Sequence, residues 1–182
     1  MVLCRILSMF TPLIHASLLM FMLSWAADLY AGGVYQEPEA FIAEAFDSDP
    51  PQADVLWLKK DLRARIEEIL QHKYKGFRVR YWSRDKRSAW ILEEIGKEKP
   101  ITTGFVINDG RVEKVRILIF RESRGWEVRY DFFTRQFDSA ALVADDRLDK
   151  DIDNVSGATM SVSAVTKLAR IALLLHDEIN RS

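Results

Sequence analysis

The tightest local constraint on the fold is Asn108-Asp109-Gly110, set between two apolar runs, Ile101 to Ile107 and Val112 to Phe120. Asp-Gly supplies the positive φ angles of a tight turn, so the two runs are expected to pair as an antiparallel hairpin. Phe77-Arg78-Val79-Arg80-Tyr81-Trp82 alternates apolar and basic residues, and Ala89-Trp90-Ile91-Leu92 follows after a charged turn. These predict two further strands, with another over Trp126 to Tyr130.

On either side of this strand region the period changes. Pro38 suits the first turn of a short helix over Glu39 to Phe46, closed by Asp47-Ser48-Asp49-Pro50-Pro51. From Val55 to about Lys73, the residues Leu58, Leu62, Ile66, Ile69 and Leu70 recur at spacings of three and four and predict a longer helix, with Gly76 as a stop. Near the C-terminus Val162, Val165, Leu168, Ala169, Ala172 and Leu175 form an apolar stripe opposed by Lys167, Arg170 and Asp177. The expected fold is α+β: an antiparallel sheet of four to five strands, N-terminal helices, and a C-terminal helix packed on the sheet. Residues 28–36, with Gly32-Gly33, read as a flexible arrival segment.

The segment 1–27 is unlike the rest. Its only charge is Arg5 and 20 of its 27 residues are apolar. A positive start, an apolar run from Ile6 to Trp25 and small residues at Ser24 and Ala26 read as an export signal cut near Ala26 or, alternatively, an N-terminal anchor. Either places the domain on the periplasmic or extracytoplasmic face of a membrane. Cys4 lies ahead of the apolar run, where it cannot serve a lipobox. The remaining 155 residues carry 25 basic and 27 acidic groups and no cysteine. That excludes thiolate metal sites, cysteine nucleophiles and a disulfide framework. The expected divisions are 1–27, then 28–100 with the helices and first strands, then 101–182, with 28–182 as one domain.

One string stands out where a loop enters the last helix: Asp153-Asn154-Val155-Ser156-Gly157-Ala158-Thr159-Met160-Ser161. Its pattern of acid, small and hydroxyl residues arises by chance in roughly one chain of this length in ten thousand. Gly157 and Ala158 let a bulky group approach the backbone, and the helix start leaves free N–H groups that favour an anion, especially a phosphate. The same residues also fit a plain helix cap.

The string resembles the flavinylation motif of the FMN-binding domain family, found in the covalent-flavin subunits of sodium-pumping quinone reductase and of the Rnf electron-transport complex. The resemblance runs from about Thr102 to Leu175 and takes in Gly104-Phe105, Asp109-Gly110, Glu122-Ser123-Arg124-Gly125 and Gln136-Phe137. It implies FMN held covalently through a phosphoester to Thr159, attached by a separate FAD-dependent flavin transferase that reads an acidic residue resembled by Asp153. Ser156 and Ser161 would donate to phosphate oxygens beside Gly157 and Ala158. Glu122 and Gly125 fall where the larger complexes carry Glu-Thr-Pro-Gly, although Ser-Arg replaces Thr-Pro here. Trp126, Phe132 and Phe133 are candidates to stack on the ring, or are core.

The implied function is an electron relay between membrane or periplasmic redox partners, without a substrate pocket of its own. The alternative is a cofactor-free binding or assembly domain. Asp149-x-Asp151-x-Asp153 opens like a calcium loop but has Asn154 at its sixth position and Met160 at its twelfth, so no metal site is expected. The acidic run Asp145 to Asp153 reads as a solvated loop. His72 and His176 read as surface residues, which leaves no base for a serine or threonine nucleophile. Arg78/Arg80 and Arg84/Lys86/Arg87 read as a solvated face, and no nucleic-acid partner is expected.

Overall fold

The computed structural model describes residues 33–181, so the export reading of residues 1–27 lies outside the described residues. The order is β1 (Gly33–Val34), α1 (Pro38–Ala45), β2 (Asp54–Trp57), α2 (Lys60–Leu70), β3 (Arg78–Arg84), β4 (Arg87–Ile95), β5 (Pro100–Asn108) and β6 (Arg111–Phe120). Short turns of 3-10 helix and α3 (Asp131–Thr134) follow, then a small hairpin of β7 (Leu142–Val143) and β8 (Arg147–Leu148), and finally α4 (Thr159–Arg181).

The main sheet is antiparallel with six strands in the order β1-β6-β5-β4-β3-β2. The fold is the expected α+β class with one to two more strands than the sequence indicated. Asp109 and Gly110 both have positive φ, 50° and 74°, and turn β5 into β6 as their identities require. Alternation sorts the strands by face. Trp90 and Leu92 of β4, Phe105 and Ile107 of β5, and Val115 and Ile117 of β6 share a core with Ile66 and Leu70 of α2 and with Val165, Leu168 and Ala172 of α4. On the opposite face Phe41, Ile42 and Phe46 of the α1 region cover Ala89, Val106 and Leu118.

Three expectations are corrected. The stripe assigned to one helix from Val55 to Lys73 divides: Asp54–Trp57 pairs with Arg78–Tyr81 as β2, and the helix begins at Lys60 after an extended Lys59 with ψ of 160°. Leu58 continues the three-and-four spacing, but an open sheet edge beside it offers backbone partners that periodicity cannot reveal. Trp126–Arg129 is a 3-10 turn and not a strand, because Gly125 at φ 81° swings the chain off β6 and the Tyr130 N–H closes onto the Glu127 carbonyl at 3.1 Å. Within the arrival segment, Gly33–Val34 is ordered as an edge strand against Ile119 and Phe120.

Candidate functional site

The motif wraps the N-terminal end of α4. Gly157 adopts φ 81°, in the left-handed region, and a Cβ added there meets nothing within 4 Å, so its outer side is open to an incoming group. The Ala158 N–H bonds the Val155 carbonyl at 2.9 Å, and the Val162 N–H bonds the Ala158 carbonyl at 2.9 Å. Between them the N–H groups of Thr159, Met160 and Ser161 find no acceptor among the described residues. Nor does any side chain of Ser156, Thr159 or Ser161 accept from the first turn of α4. The sequence fits a cap, but these side chains do not cap.

Thr159 is the first residue of α4 and is exposed, its hydroxyl accepting a single bond from Asn154 Nδ2 at 3.0 Å. Ala158 and Ser161 are buried beneath it. Gly125 lies against this turn: a Cβ there would stand 2.5 Å from Ser161 Oγ and 3.4 Å from the Ala158 Cα. Together with its φ of 81° that makes glycine the residue that fits. The two segments the sequence separates by more than thirty positions are thus in contact.

A cleft of about 320 Å³ opens here, lined by Lys97, Glu98, Glu122, Ser123 and Arg124 on one side and Gly157 to Ser161 on the other. Glu122 is buried, and one carboxylate oxygen accepts the N–H groups of Lys97, Glu98 and Lys99 at 2.5, 2.6 and 2.9 Å. Burial alone would raise its pKa, but the three N–H donors prevail and hold the carboxyl below its ordinary 4.5. Glu122 therefore fastens the β4–β5 turn that presents Lys97 to the cleft. Arg124 is exposed and has no ion pair among the described residues. The wall balances two cations against two carboxylates: Lys97 lies 3.9 Å from Glu98, and Arg124 is the cation left unpaired near a helix end that is also positive.

Of the residues singled out by sequence, Glu122, Gly157, Ala158, Thr159 and Ser161 line this cleft, with Gly125 behind Ser161. Ser156 and Asp153 are exposed on the approaching loop, outside the lining; the Asp153 N–H is held by Gln136 Oε1 at 2.6 Å. Lys97 and Glu98 went unnoticed in the sequence. No spacing signal could have found them, since they arrive through the β4–β5 turn. Phe133 is fully buried against Phe137, Trp126 is half-buried beside Tyr130, and Phe132 is exposed.

Two readings of other residues are corrected. His176 is a core residue: Nε2 accepts the Gly110 N–H at 3.2 Å, which leaves the Nδ1 proton to donate to Ser88 Oγ at 2.7 Å. Trp90 Nε1 donates to the same oxygen at 2.7 Å. Burial pushes His176 below its ordinary 6.5 against the pull of Asp177 and Asp109. His72 is exposed as expected, and its hydrogen bond to Glu94 at 3.0 Å raises it. The acidic loop is also less free than expected, since Asp146 pairs with Arg65 and Asp149 accepts the Ala141 N–H at 2.9 Å.

The protein class follows from comparison with known families. Residues 96–174 match the family described as FMN-binding domain. The match begins at the β4–β5 turn and ends within α4, and so includes both walls of the cleft. It supports FMN as the ligand. No curated protein and no solved structure matches the chain.

Proposed function

We propose that this chain is an exported flavoprotein carrying FMN through a phosphoester on Thr159 and relaying electrons between membrane or periplasmic redox partners. The single observation that carries the reading is the placement of Thr159. An exposed hydroxyl stands on the first turn of α4, beside three N–H groups without acceptors among the described residues, on the lip of a cleft that holds the unpaired Arg124. This donor set suits a phosphodiester, which keeps one negative charge. The open side of Gly157 leaves room for the chain that joins phosphate to ring.

Attachment balances as a transfer. In the active site of a flavin transferase, the Thr159 oxygen bonds to the FMN-side phosphorus of FAD, the pyrophosphate bond breaks, AMP leaves, and the hydroxyl proton is taken up by a base of the transferase. The exposure of Asp153 supports its being read by the transferase during that encounter. Once attached, the phosphate would be held by the N–H groups of Thr159 to Ser161 and by Arg124. When bound, the isoalloxazine ring supplies electron transfer in steps of one or two electrons. A covalent link prevents loss of the flavin outside the cytoplasm, where a dissociable one would be diluted.

The test is coexpression of the full chain with a flavin transferase, followed by a denaturing gel viewed under ultraviolet light and intact mass. The expected result is a fluorescent band with a mass gain of one FMN less one water, absent in Thr159→Ala. A dark wild-type band beside a fluorescent control substrate of the same transferase would overturn the reading in favour of a cofactor-free domain.

A further inference from the structure

The basic residues of the chain are unevenly placed. Arg84, Lys86 and Arg87 each pair with an acid: Asp49, Asp109 and Glu113. By contrast the segments 57–60 and 73–80 hold Lys59, Lys60, Lys73, Lys75, Arg78 and Arg80 without one Asp or Glu, in a chain whose formal net charge is -1. The fold joins these segments, since Trp57 pairs with Arg78 and the Leu58 N–H bonds the Phe77 carbonyl at 2.9 Å. All six cations are exposed. Lys59 lies 3.8 Å from Glu178, and the other five have no ion pair among the described residues.

Two aromatic rings stand among these charges. Phe77 is 66% and Trp57 63% exposed, the largest values for large apolar side chains among the described residues. Arg63 lies over the Phe77 ring at 5.0 Å and Arg78 over Trp57 at 5.7 Å. The sheet also opens beside them. The β3–β4 ladder stops at Tyr81 and Trp90, although β3 remains paired with β2 to Arg78 and β4 with β5 to Ile95. The resulting gap is a cleft of about 410 Å³ with Leu92, Leu168 and Ile171 in its floor, and Lys75, Arg78 and Arg80 against the single carboxylate of Glu93, itself paired with Arg121, around its lip.

We propose that this end of the sheet is a docking face for an anionic lipid surface. Lipid phosphates complement five unpaired cations, and exposed Trp and Phe sit favourably where headgroups meet acyl chains. The cleft gives a headgroup space between the cations. An acidic protein would satisfy the charges equally, but it gives no separate reason for two rings to stand this far into solvent. Where residues 1–27 are kept as an anchor, the apolar run Ile6 to Trp25 would also hold the chain at a bilayer. The face is independent of the flavin reading, because neither Thr159 nor its cleft takes part.

The experiment is amide hydrogen exchange on the full chain reconstituted into vesicles of phosphatidylcholine with or without phosphatidylglycerol. Any insertion of residues 6–25 would be common to both vesicles, so only the location of protection is read. Segments 54–60 and 73–80 are expected to exchange more slowly in the anionic vesicles alone, with the effect reversed by salt. Each cation removed should weaken the contact about fivefold, so Lys75→Glu/Arg78→Glu should abolish protection and Lys75→Arg/Arg78→Lys should retain it. Exchange elsewhere in each variant reports the fold. Equal exchange in both vesicles, or protection that survives the charge reversal, overturns the proposal. Slowing by an acidic polypeptide and not by anionic vesicles overturns it in favour of a protein partner.

Discussion

A hydroxyl group stands near each end of α4, its own Thr159 at the start and Ser88 of β4 against the far end, and the two differ in every respect that matters for chemistry. At its start the Thr159 hydroxyl is exposed and accepts one bond, from Asn154. Toward its end His176 holds the hydroxyl of Ser88 in the core, where the oxygen already accepts from both His176 and Trp90. A serine 2.7 Å from a histidine invites a nucleophilic reading. Yet Nε2 is committed to Gly110, the ring is neutral with its proton on Nδ1, and Nδ1 therefore cannot take a proton from serine. The buried pair is a structural brace across α4, β4 and the β5–β6 turn. Of the two, only the threonine hydroxyl is exposed to an incoming group.

The contrast breaks most sharply at Thr159. Thr159→Ala should remove all covalent flavin while changing stability by no more than about 0.5 kcal/mol, as for other exposed sites; fluorescence on a denaturing gel and a urea melt read the two effects. If His176 is instead the structural partner, His176→Ala should cost about 2–4 kcal/mol by leaving the Gly110 N–H and Ser88 unpaired around a cavity. The residual folded protein should still accept flavin at low temperature. Retained stability in that variant would return the pair to the list of candidate sites.

Gly125→Ala probes how closely the two walls of the cleft must meet. A left-handed backbone and the contact with Ser161 should together cost about 2 kcal/mol, and a calorimetric melt should show it alongside slower flavinylation. Unchanged values for both would mean that the wall moves freely.

The smallest effect separates the two buried titrating groups by pH. His176 has a lowered folded pKa, so the unfolded chain binds the proton first as pH drops. Its contribution is complete above its ordinary 6.5 and declines as pH falls below that value toward the folded one. Glu122 is lowered from 4.5, and its contribution is complete above 4.5 and lost as pH falls through the depressed folded value. His72, raised by Glu94, acts with the opposite sign above 6.5, where its contribution fades as pH rises through its folded value. Denaturant midpoints across an acid series should therefore show two limbs. Glu122→Gln should flatten only the lower one, by about 1 kcal/mol.

Much of this architecture was legible in order. The Asp109-Gly110 turn, the alternating strands and the stripe of α4 depend on local φ preferences and on which face is apolar, and both are written in neighbouring residues. The motif from Asp153 to Ser161 was legible for the same reason, since one continuous segment builds the helix entrance. What sequence missed was set by partners distant in the chain. The edge strands β1 and β2 exist because β6 and β3 offer backbone groups, and His176 reads as polar until Gly110 and Ser88 are brought to its ring nitrogens.

The sequence alone therefore determined the α+β class, the position of the candidate threonine and the likeness to FMN-binding domains, because each rests on a short continuous pattern. Tertiary structure decided which hydroxyl is accessible, how Gly125 meets Ser161, and that Lys97 and Arg124 face the motif. It also decided which arginines keep their charge unpaired. Contacts and desolvation depend on groups that only folding brings within a few ångströms, and no local pattern records them.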